Sequence, residues 1–515
     1  MLSYRSSRLW SLSLFLALAL AMPAEAQKRG GDFIAMVYGN ANSIDPNFQA
    51  SHISRSMLLG TYETLLAVDD NSTATPMLAS GVEASPDGLT YRFQLRRGVK
   101  FHNGKEMTSA DVKASLERFA RVSPDRITMA PVVGIDAPDP YSLVIRLKQV
   151  SASFLDRLAS ATTPVAVIPA EEAGKDLNKT NAIGTGPFQF VEWVPDSHIK
   201  LKRFDDYQPN TAYAAPSGFG GKKTVYLDTA TFRVTTEASA RVAALESGQV
   251  HLAQDIPVPA AKRLADNAKL KIHQLKTFNM PVLFLNHAQA PTDNLKFRQA
   301  IQAGVDNGEA MAAATDGVFE LDASWLWPGN AFSSDAGKDK YNQNNLARAK
   351  QLLAESGYKG EPMILAINNI GFHVKIGSVI LENLKAIGIN VQVERMEWPV
   401  MVDLASKDKG WNVATAGFSS QPLLGAYAYQ PLFTGPTNWP HIKSDPPMEE
   451  AWAVFNTSLN LAERKSAWAK VQQRTYDQVY IVKLGNQPFL IGVSAKVGGY
   501  RPYIGAERLW DVWLE

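Results

Sequence analysis

Short segments in which hydrophobic and polar residues alternate predict β-strands along the chain. Between Tyr91 and Leu95 every second residue is hydrophobic, with Arg92 and Gln94 between them, which is typical of a strand with one buried face. The sequence SPDG at 85–88 predicts a turn directly before this strand. The same reasoning predicts further strands over residues 143–147, 188–191, 199–202, 230–234, 250–252, 363–367 and 391–393.

Hydrophobic residues spaced by three or four positions predict helices between these strands. Thr108 to Asp111 forms a capping-box pattern, in which each end of the motif satisfies a free backbone N–H, so a helix should begin there. Helices are also predicted over residues 239–246, 297–305, 346–353 and 376–387, the last ending at Gly388. Helices that alternate with strands predict an α/β fold with parallel sheet portions, whose ligand sites lie outside the carboxyl ends of the strands.

The N-terminal segment has the organisation of a secretory signal peptide over residues 1–26. Arg5 and Arg8 precede a hydrophobic run from Leu9 to Met22, and AEA at 24–26 matches a cleavage site before Gln27. The alternative is a membrane anchor, but the run is shorter than the ~20 residues that a bilayer span needs. We therefore expect an exported, soluble mature chain in the periplasm, with secretion into the medium as the alternative.

Composition narrows the class of protein further. The 515 residues are 45% hydrophobic and carry 52 Lys and Arg against 50 Asp and Glu, a formal net charge of +2. This length indicates about two to four domains, and so balanced a charge argues against nucleic acid as a partner. Since the chain has no cysteine, it cannot form disulfides, thiolate nucleophiles, cysteine-ligated metal sites or a lipidated N-terminal cysteine.

Local motifs of enzymes and metal sites are absent from the sequence. The eight histidines include no pair four residues apart, so no two-histidine zinc motif lies on one helix. The chain also lacks the nucleophile elbow G-x-S-x-G, the phosphate loop G-x-x-x-x-G-K-[ST] and the dinucleotide fingerprint G-x-G-x-x-G. We therefore expect no enzyme activity, no bound metal and no cofactor.

Aromatic residues are unevenly distributed, since nine of the eleven tryptophans lie at or after Trp325. Most such rings belong to a core, but aromatic side chains beside polar loops can also line a ligand pocket. Polar and aromatic residues in loops or at strand ends are therefore the candidate ligand-binding residues. They are Asn40, Asn42, Asn368, Asn369, Trp398, Phe418, Ser419, Ser420, Gln421 and Tyr427.

Five segments, in order along the chain, resemble segments of one protein family. Residues 85–91 read SPDGLTY, residues 95–105 read LRRGVKFHNGK and residues 183–188 read IGTGPF. Residues 283–286 read LFLN, followed by FRQAI at 297–301, and residues 347–358 read ARAKQLLAESGY. These segments are similar to those of the solute-binding proteins of peptide/nickel-type ABC importers, family 5, and together they cover nearly the whole mature chain.

The resemblance implies an α/β, two-lobed periplasmic-binding-protein fold of the class II, cluster C type, with a hinge between the lobes and no catalysis. Lobe I would be discontinuous, over residues 27–70, 184–276 and 484–515, with an inserted subdomain over residues 71–183 and lobe II over residues 277–483. The implied function is to capture an oligopeptide or related polar organic solute in the cleft and deliver it to a membrane permease. The implied partners are this ligand and an inner-membrane permease/ATPase complex, with the binding protein itself a monomer.

The chain departs from peptide-binding members of that family at positions that would read ligand charge. Those members pair a peptide's amino terminus with an acidic residue in the region where residues 417–422 of this chain read GFSSQP. Dipeptide binders place an arginine for the carboxylate where residues 368–371 read NNIG, and His251 stands where members often have an acid. Because an unpaired buried charge is costly, we expect a neutral amide, a sugar conjugate or an opine-like ligand. Its expected partners are Trp398 and Tyr427 as stacking surfaces and Asn369, Ser419, Ser420 and Gln421 as neutral hydrogen-bonding groups.

Three alternatives remain open at this point. A nickel or metal-chelate binder of the same fold would use His373, the one histidine that we place near the cleft. A secreted hydrolase would need a nucleophile or metal assembled from distant residues. A periplasmic folding helper would offer an apolar groove to unfolded chains.

Overall fold

The computed structural model describes residues 28–48, 52–160, 164–419, 425–434, 438–503 and 506–515. The predicted signal peptide lies outside these ranges. Within them, no helix has both the length and the apolar character that a membrane crossing requires.

In this part of the chain the strands are, in order, β1 (Asp32–Val37), β2 (Leu66–Val68), β3 (Ala74–Pro76), β4 (Ala79–Ala84), β5 (Thr90–Leu95), β6 (Val132–Asp139), β7 (Ser142–Leu147), β8 (Phe188–Val194), β9 (His198–Arg203), β10 (Pro216–Ser217), β11 (Gly220–Gly221), β12 (Thr229–Val234), β13 (Leu252–Gln254), β14 (Leu270–Leu285), β15 (Met363–Asn368), β16 (Val391–Met396), β17 (Val413–Ser419), β18 (Ile481–Lys483), β19 (Gln487–Ser494), β20 (Val497–Gly498) and β21 (Trp513–Leu514). The helices are α1 (His52–Leu58), α2 (Ser109–Val122), α3 (Phe154–Leu158), α4 (Ala170–Ala173), α5 (Ala238–Glu246), α6 (Val258–Leu264), α7 (Leu295–Gly304), α8 (Asn307–Thr315), α9 (Leu346–Glu355), α10 (Gly371–Ile387), α11 (Trp398–Ala405), α12 (Gln430–Thr434), α13 (Pro446–Thr457) and α14 (Leu461–Gln478).

One mixed sheet runs through both lobes of the protein. Its order is β16-β15-β17-β14-β19-β13-β1-β12-β9-β8, and β18 also pairs with β14. β1 is parallel to β12 and β13, and β15 is parallel to β16 and β17. We call the half built on β1, β12 and β13 lobe I, and the half built on β15, β16 and β17 lobe II. Both halves have the parallel α/β arrangement that the alternating pattern predicts.

Two antiparallel strands, β14 and β19, connect the lobes. β14 has 16 residues; its first part pairs with β19, and its second part pairs with β17 and β18. The β14–β19 ladder changes register between Leu275 and Asn279. A register shift interrupts the ladder and bends the strands, so this crossing is the place where the lobes can rotate relative to each other.

Each lobe has its own hydrophobic core. In lobe I, Phe33, Phe232 and Ile491 pack together from three strands. In lobe II, Ile301 of α7 and Ile380 of α10 pack against one face of the sheet. The other core of lobe II contains most of the tryptophan-rich C-terminal region, including Trp325, Trp411, Trp452 and Trp468.

A four-stranded antiparallel sheet, β4-β5-β7-β6, lies within the segment predicted as the inserted subdomain. Beside it, α2 begins at the predicted capping box, where the Thr108 N–H donates to Asp111 Oδ2 at 2.9 Å. Leu116 and Phe119 of α2 pack into the core of this sheet. Near the end of the segment, Ile168 packs into the core of lobe I instead, so the inserted segment is held against lobe I.

The predicted strands and helices match the observed ones closely, with one displaced strand. The strand predicted over residues 250–252 is found as β13, Leu252–Gln254, two residues later. The reason is His251, whose ring Nδ1 accepts a hydrogen bond from the Ile34 N–H at 3.0 Å. Regular pairing with β1 therefore starts only at Leu252, opposite Ala35.

Candidate binding cleft

A cavity of about 380 Å³ lies between the lobes, beside the strands that connect them. Lobe I contributes residues that follow β1 and β13, and lobe II contributes the end of β15 and the first residues of α10 and α11. Carboxyl ends of parallel strands therefore meet at this cavity, as expected for open α/β sheets. The lining residues are Tyr38, Asp255, Phe278, Asn279, Asn368, Ile370, Phe372, His373, Trp398, Gly417, Gln487, Pro488 and Phe489.

Asn368 ends β15 and offers an unused hydrogen-bond donor. Its backbone N–H donates to Thr415 Oγ1 at 3.1 Å, and its Oδ1 accepts from the Ile370 N–H at 3.0 Å. The residue is 0% exposed, and its Nδ2 has no hydrogen-bond partner among the described residues. A buried donor without a partner costs about 1–3 kcal/mol, and an oxygen atom of a bound ligand would recover that cost.

The N-terminus of α10 lies at the same place. The N–H groups of His373 and Val374 donate to the Ile370 carbonyl at 2.8 and 3.2 Å, whereas those of Gly371 and Phe372 have no acceptor in the described part of the chain. Free N–H groups and the helix dipole give this end a partial positive charge. Together with Asn368 Nδ2, they favour a carbonyl or carboxylate oxygen on the lobe II side.

His373 is buried beside this helix end, with 4% of its surface exposed. Burial lowers the pKa of the His373 imidazole to about 4, so the ring is neutral at pH 7. Its Nδ1 has no partner within the described residues. The side chain is therefore a neutral polar group in the wall of the cavity. This histidine was also expected near the cleft from the sequence.

Asp255 brings a carboxylate to the lobe I side. It follows β13 in a left-handed conformation, with φ of 51°. Arg241 Nη2 donates to Asp255 Oδ2 at 3.2 Å and to the Asp255 carbonyl at 2.9 Å, and these bonds hold the turn in place. Burial raises the pKa of the Asp255 carboxyl, and Arg241 lowers it in part. The side chain is nevertheless 56% exposed, and it faces the cavity.

Aromatic rings form much of the remaining wall. Phe489 lies with its ring centroid 5.7 Å from Tyr38 and 4.6 Å from Phe278, at the crossing strands. Opposite them, Trp398 is 38% exposed, and its ring centroid lies 5.7 Å from that of Trp439. These rings offer apolar contact surface to a ligand from both sides of the hinge.

Of the residues predicted from sequence to bind a ligand, the structure places Asn368 and Trp398 in the lining of this cavity. Ser419 is the last residue of β17 and pairs with Asn279, itself a lining residue. Ser420 and Gln421 lie outside the described residues.

Three of the asparagines predicted to bind a ligand form hydrogen bonds with other side chains of the protein. Asn40 Nδ2 donates to Asp196 Oδ1 at 2.6 Å, and Asn42 Oδ1 accepts from Ser54 Oγ at 2.6 Å. Asn369 Nδ2 donates to Glu397 Oε1 at 3.0 Å. None of the three lines the cavity described here, because each side chain is turned toward a neighbouring loop or helix.

Phe418 and Tyr427 are buried, and neither is among the described residues that line this cavity. Phe418 packs in the lobe II core against Trp325, because it points to the opposite face of β17 from its neighbour Gly417. Tyr427 is buried under the inserted segment, where the Arg157 guanidinium lies 4.6 Å from its ring centroid. It therefore connects the inserted segment to lobe II.

Sequence reasoning missed Asp255, and it expected the charge-reading positions of the cleft to be neutral. The structure instead places this carboxylate in the cavity lining. The available signal was its position after a predicted strand, since that rule also selected Asn368. The described residues contain no group of three or more His, Asp or Glu side chains that could hold a metal ion.

Two relatives of this chain carry names that refer to binding. The glutathione-binding protein GsiB of Salmonella choleraesuis (strain SC-B67) is 28% identical over 444 residues, covering 84% of this chain and 82% of the relative. The probable peptide ABC transporter periplasmic-binding protein y4tO of Sinorhizobium fredii (strain NBRC 101917 / NGR234) is 27% identical over 516 residues, covering 96% of each chain.

Solved structures share the fold. The ABC transporter substrate-binding protein CtaP from Listeria monocytogenes has a TM-score of 0.81 and 22% identity, covering 95% of this chain and 100% of that one. The family model for bacterial extracellular solute-binding proteins, family 5, matches residues 73–440. With its two lobes, its crossing strands and a cavity between them, this chain belongs to the bacterial extracellular solute-binding proteins of family 5.

Proposed function

We propose that this protein is the substrate-binding component of an ABC importer. It captures an oligopeptide or related polar organic solute in the cleft between its lobes and delivers it to a membrane permease. The family is one of solute-binding proteins rather than enzymes, so the ligand leaves the cleft chemically unchanged.

The observation that supports this most directly is a cavity whose walls come from both lobes and from the strands that join them. A ligand can favour a closed arrangement only through contacts that the open arrangement does not offer. A solute that contacts Asp255 on lobe I and Asn368 on lobe II provides such contacts. Cavities of ~300–1,000 Å³ accommodate small organic ligands, and the volume here of about 380 Å³ falls in that range.

The ligand class follows from the groups in the walls. The unpartnered Asn368 Nδ2 and the N-terminus of α10 suit carbonyl or carboxylate oxygens. Relatives are named for glutathione and for peptides, both of which carry such oxygens on amide and carboxylate groups. This supports a short peptide or a solute with peptide-like groups.

The proposal extends to location and partners. The predicted signal peptide over residues 1–26 would direct the chain to the periplasm, where a monomer would meet an inner-membrane permease/ATPase complex. We also propose the division into lobe I, the inserted subdomain over residues 71–183 and lobe II.

The test is to incubate the purified mature protein with a bacterial metabolite extract supplemented with di- to pentapeptides. Mass spectrometry of what the protein retains should identify a small organic solute in its original chemical form. Small-angle scattering should then show that this solute makes the protein more compact. A solute recovered only as a cleaved product would contradict the proposal and favour a hydrolase.

A metal-chelate ligand is the second candidate, because His373 presents an unpartnered ring nitrogen in the cavity wall. One nitrogen cannot hold a metal ion alone, so the metal would have to arrive with organic ligands. Calorimetry with nickel and L-histidine together decides between the two. Tight binding of the mixture, with no organic solute retained from the extract, would favour the chelate.

A further inference from the structure

A second cavity, of about 260 Å³, lies in lobe I. Its described lining shares no residue with that of the cavity between the lobes. The C-terminal segment forms most of the wall, and Leu509 and Val512 of this segment pack into the core of lobe I. The rest of the wall comes from Asp70, in the loop after β2, and from β10 with the residue before it. Because a packed core holds the C-terminal segment, the shape of this cavity does not depend on a ligand.

Two stretches of the C-terminal segment approach each other closely at this wall. Gly498 pairs with Trp513 between β20 and β21, and a Cβ atom at Gly499 would overlap the Asp511 carbonyl oxygen. Asp511 has a left-handed backbone, with φ of 59°, and its N–H donates to the Thr224 carbonyl at 2.7 Å. These contacts fix the backbone that carries Asp511 and Trp513 at the cavity.

The charged groups of the wall are largely engaged by the protein itself. Arg508 is 9% exposed, and it donates from Nη1 to the Gly218 carbonyl at 2.9 Å and from Nη2 to the Arg501 carbonyl at 3.2 Å. Asp70 Oδ1 accepts from the Gly218 N–H at 2.9 Å and lies 3.6 Å from Arg508 Nη1. With Arg501 and Asp511, the lining contains two basic and two acidic side chains. A wall with balanced and engaged charges favours a ligand that has no formal charge.

Two polar atoms of the wall have no hydrogen-bond partner within the described residues. Asp511 Oδ2 is a buried acceptor, and Trp513 Nε1 is a buried donor. Leaving such atoms unpaired costs free energy. A hydroxyl group both donates and accepts, so the hydroxyls of one ligand can satisfy the two atoms. An ammonium group could pair only with Asp511, and a carboxylate only with Trp513.

The rest of the wall suits a small ring with an apolar face. The indoles of Trp510 and Trp513 both line the cavity. Other groups hold these rings, since the Lys223 ammonium lies 4.6 Å from the Trp510 ring centroid and the Tyr226 ring packs edge-on against Trp513 at 6.0 Å. A sugar ring has C–H groups on its faces and hydroxyls around its rim, so it can contact an indole and form hydrogen bonds together. Drug-sized ligands occupy cavities of ~300–1,000 Å³, so this smaller cavity suits a single sugar ring.

We propose that this cavity is a second binding site of the protein and that it binds a neutral sugar. Hydroxyls of the sugar pair with Asp511 Oδ2 and Trp513 Nε1, and its ring packs against the indoles. The site is separate from the cleft in which the transported solute is proposed to bind. A sugar in this cavity and a solute in the cleft can therefore be bound together.

The experiment titrates the purified mature protein with D-glucose, D-galactose and N-acetyl-D-glucosamine, each followed by saturation-transfer difference NMR. At least one of these sugars should receive saturation from the wild type. Trp513→Phe removes the indole N–H but keeps an aromatic ring, and it should weaken binding of that sugar by about two- to tenfold.

Two further variants accompany this measurement. Asp511→Asn replaces the carboxylate by a residue that tolerates the left-handed backbone, and it should also weaken binding. Trp193→Phe changes a partly buried tryptophan of lobe I outside the cavity, and it should bind the sugar as the wild type does.

The proposal is wrong if the wild type transfers saturation to none of the three sugars. Equal affinity of wild type and Trp513→Phe also overturns it, and so does a loss of sugar binding in Trp398→Ala, which would place the sugar in the cleft. Should Trp513→Phe fail to fold, the affinity of Asp511→Asn decides. The proposed import function stands or falls independently, because its test concerns the solute in the cleft.

Discussion

Trp398 illustrates how a single side chain can serve the cleft rather than the core. It begins α11, lies in the cavity wall and keeps 38% of its surface exposed, while its ring contacts Trp439. Phe418, which the sequence also suggests as a ligand contact, is buried in the core of lobe II. The two aromatic residues should therefore respond to truncation in opposite ways.

Trp398→Ala should weaken ligand binding by ~1–3 kcal/mol, because it removes contact surface in the cleft. The free energy of unfolding should change by less than about 1 kcal/mol, since the ring is not part of a packed core. Calorimetry and urea unfolding measure the two quantities. Val400→Ala, at an exposed position of the same helix, is the matched control and should change neither. Unchanged affinity in Trp398→Ala would show that the Trp398 ring does not contact the ligand.

Phe418→Ala should lower the free energy of unfolding by about 3–5 kcal/mol, the usual cost of truncating a buried phenylalanine. Its ring packs against Phe284, Trp325 and Tyr429, so the substitution leaves a cavity. The ligand affinity of the folded fraction should stay within about threefold of wild type. Lost affinity with unchanged stability would show that the Phe418 side chain contacts the ligand.

The lowered pKa of His373 predicts how the free energy of unfolding depends on pH. Its pKa is about 4 in the folded protein against 6.5 for an ordinary histidine, so between these values the unfolded chain takes up a proton that the folded chain does not. Its contribution to stability is complete above about pH 6.5 and is lost as the pH falls toward 4. His373→Asn should remove up to about 3 kcal/mol of the loss in unfolding free energy that acid causes. Urea unfolding between pH 4 and 7 measures this. An identical pH profile would show that the imidazole is protonated without cost.

Hydrophobic periodicity and caps predicted fewer than half of the described strands and helices, among them β5, β15, α2 and α10. α10 ends at Gly388 as its periodicity indicates, and β15 and β16 were predicted within a few residues. The face of a strand was harder to predict. Gly417 and Phe418 are neighbours in β17, and because side chains alternate, one lines the cavity and the other enters the core.

The site could be predicted only where a local rule sufficed. Asn368 was found because it ends a strand. Asn40 and Asn369 were also selected by position, but their partners, Asp196 and Glu397, lie far away in the sequence. Such tertiary hydrogen bonds leave no local pattern, and neither does the contact of Tyr427 with the inserted segment.

Gly388→Ala tests the cap of α10. Gly388 has φ of 110°, a conformation that side chains other than glycine rarely adopt, so the substitution should cost about 1–2 kcal/mol of unfolding free energy. Gly371→Ala, at the first turn of the same helix with open space around the new methyl group, should leave stability nearly unchanged. Equal effects of the two substitutions in urea unfolding would contradict this account of the cap.

The inserted segment also contacts lobe II directly, through residues that do not belong to the crossing strands. The Ala152 N–H donates to the Asn456 carbonyl at 2.7 Å, and Arg464 Nη2 lies 3.4 Å from Asp156 Oδ2. Tyr427 packs under Arg157 in the same interface. These contacts join the inserted segment, which is held against lobe I, to lobe II, so we expect them to favour a closed arrangement.

Asp156→Asn should weaken this interface without changing the cavity wall. Loss of a partly exposed ion pair is worth ~0.2–1 kcal/mol, so ligand affinity should fall by a factor of about 1.4 to 5 through a less populated closed state. Small-angle scattering of the unliganded variant should show a larger radius of gyration than wild type. Asp266→Asn, at an exposed position of lobe I, is the control. A variant with unchanged radius and affinity would mean that the interface does not contribute to closure.

A solute that closes two lobes around itself must shorten the distance between them, and the absence of cysteine allows labels to be attached at chosen positions to measure that distance. Ala84→Cys and Leu461→Cys place spin labels on the inserted segment and on lobe II, near the contact of Leu459 with Gly88. Pulsed electron–electron double resonance then measures the distance between the two spin labels with and without the retained solute. Without the solute the distances between the labels should be long or widely spread, and binding of the solute should leave one short distance. An unchanged distribution with the solute demonstrably bound would contradict it.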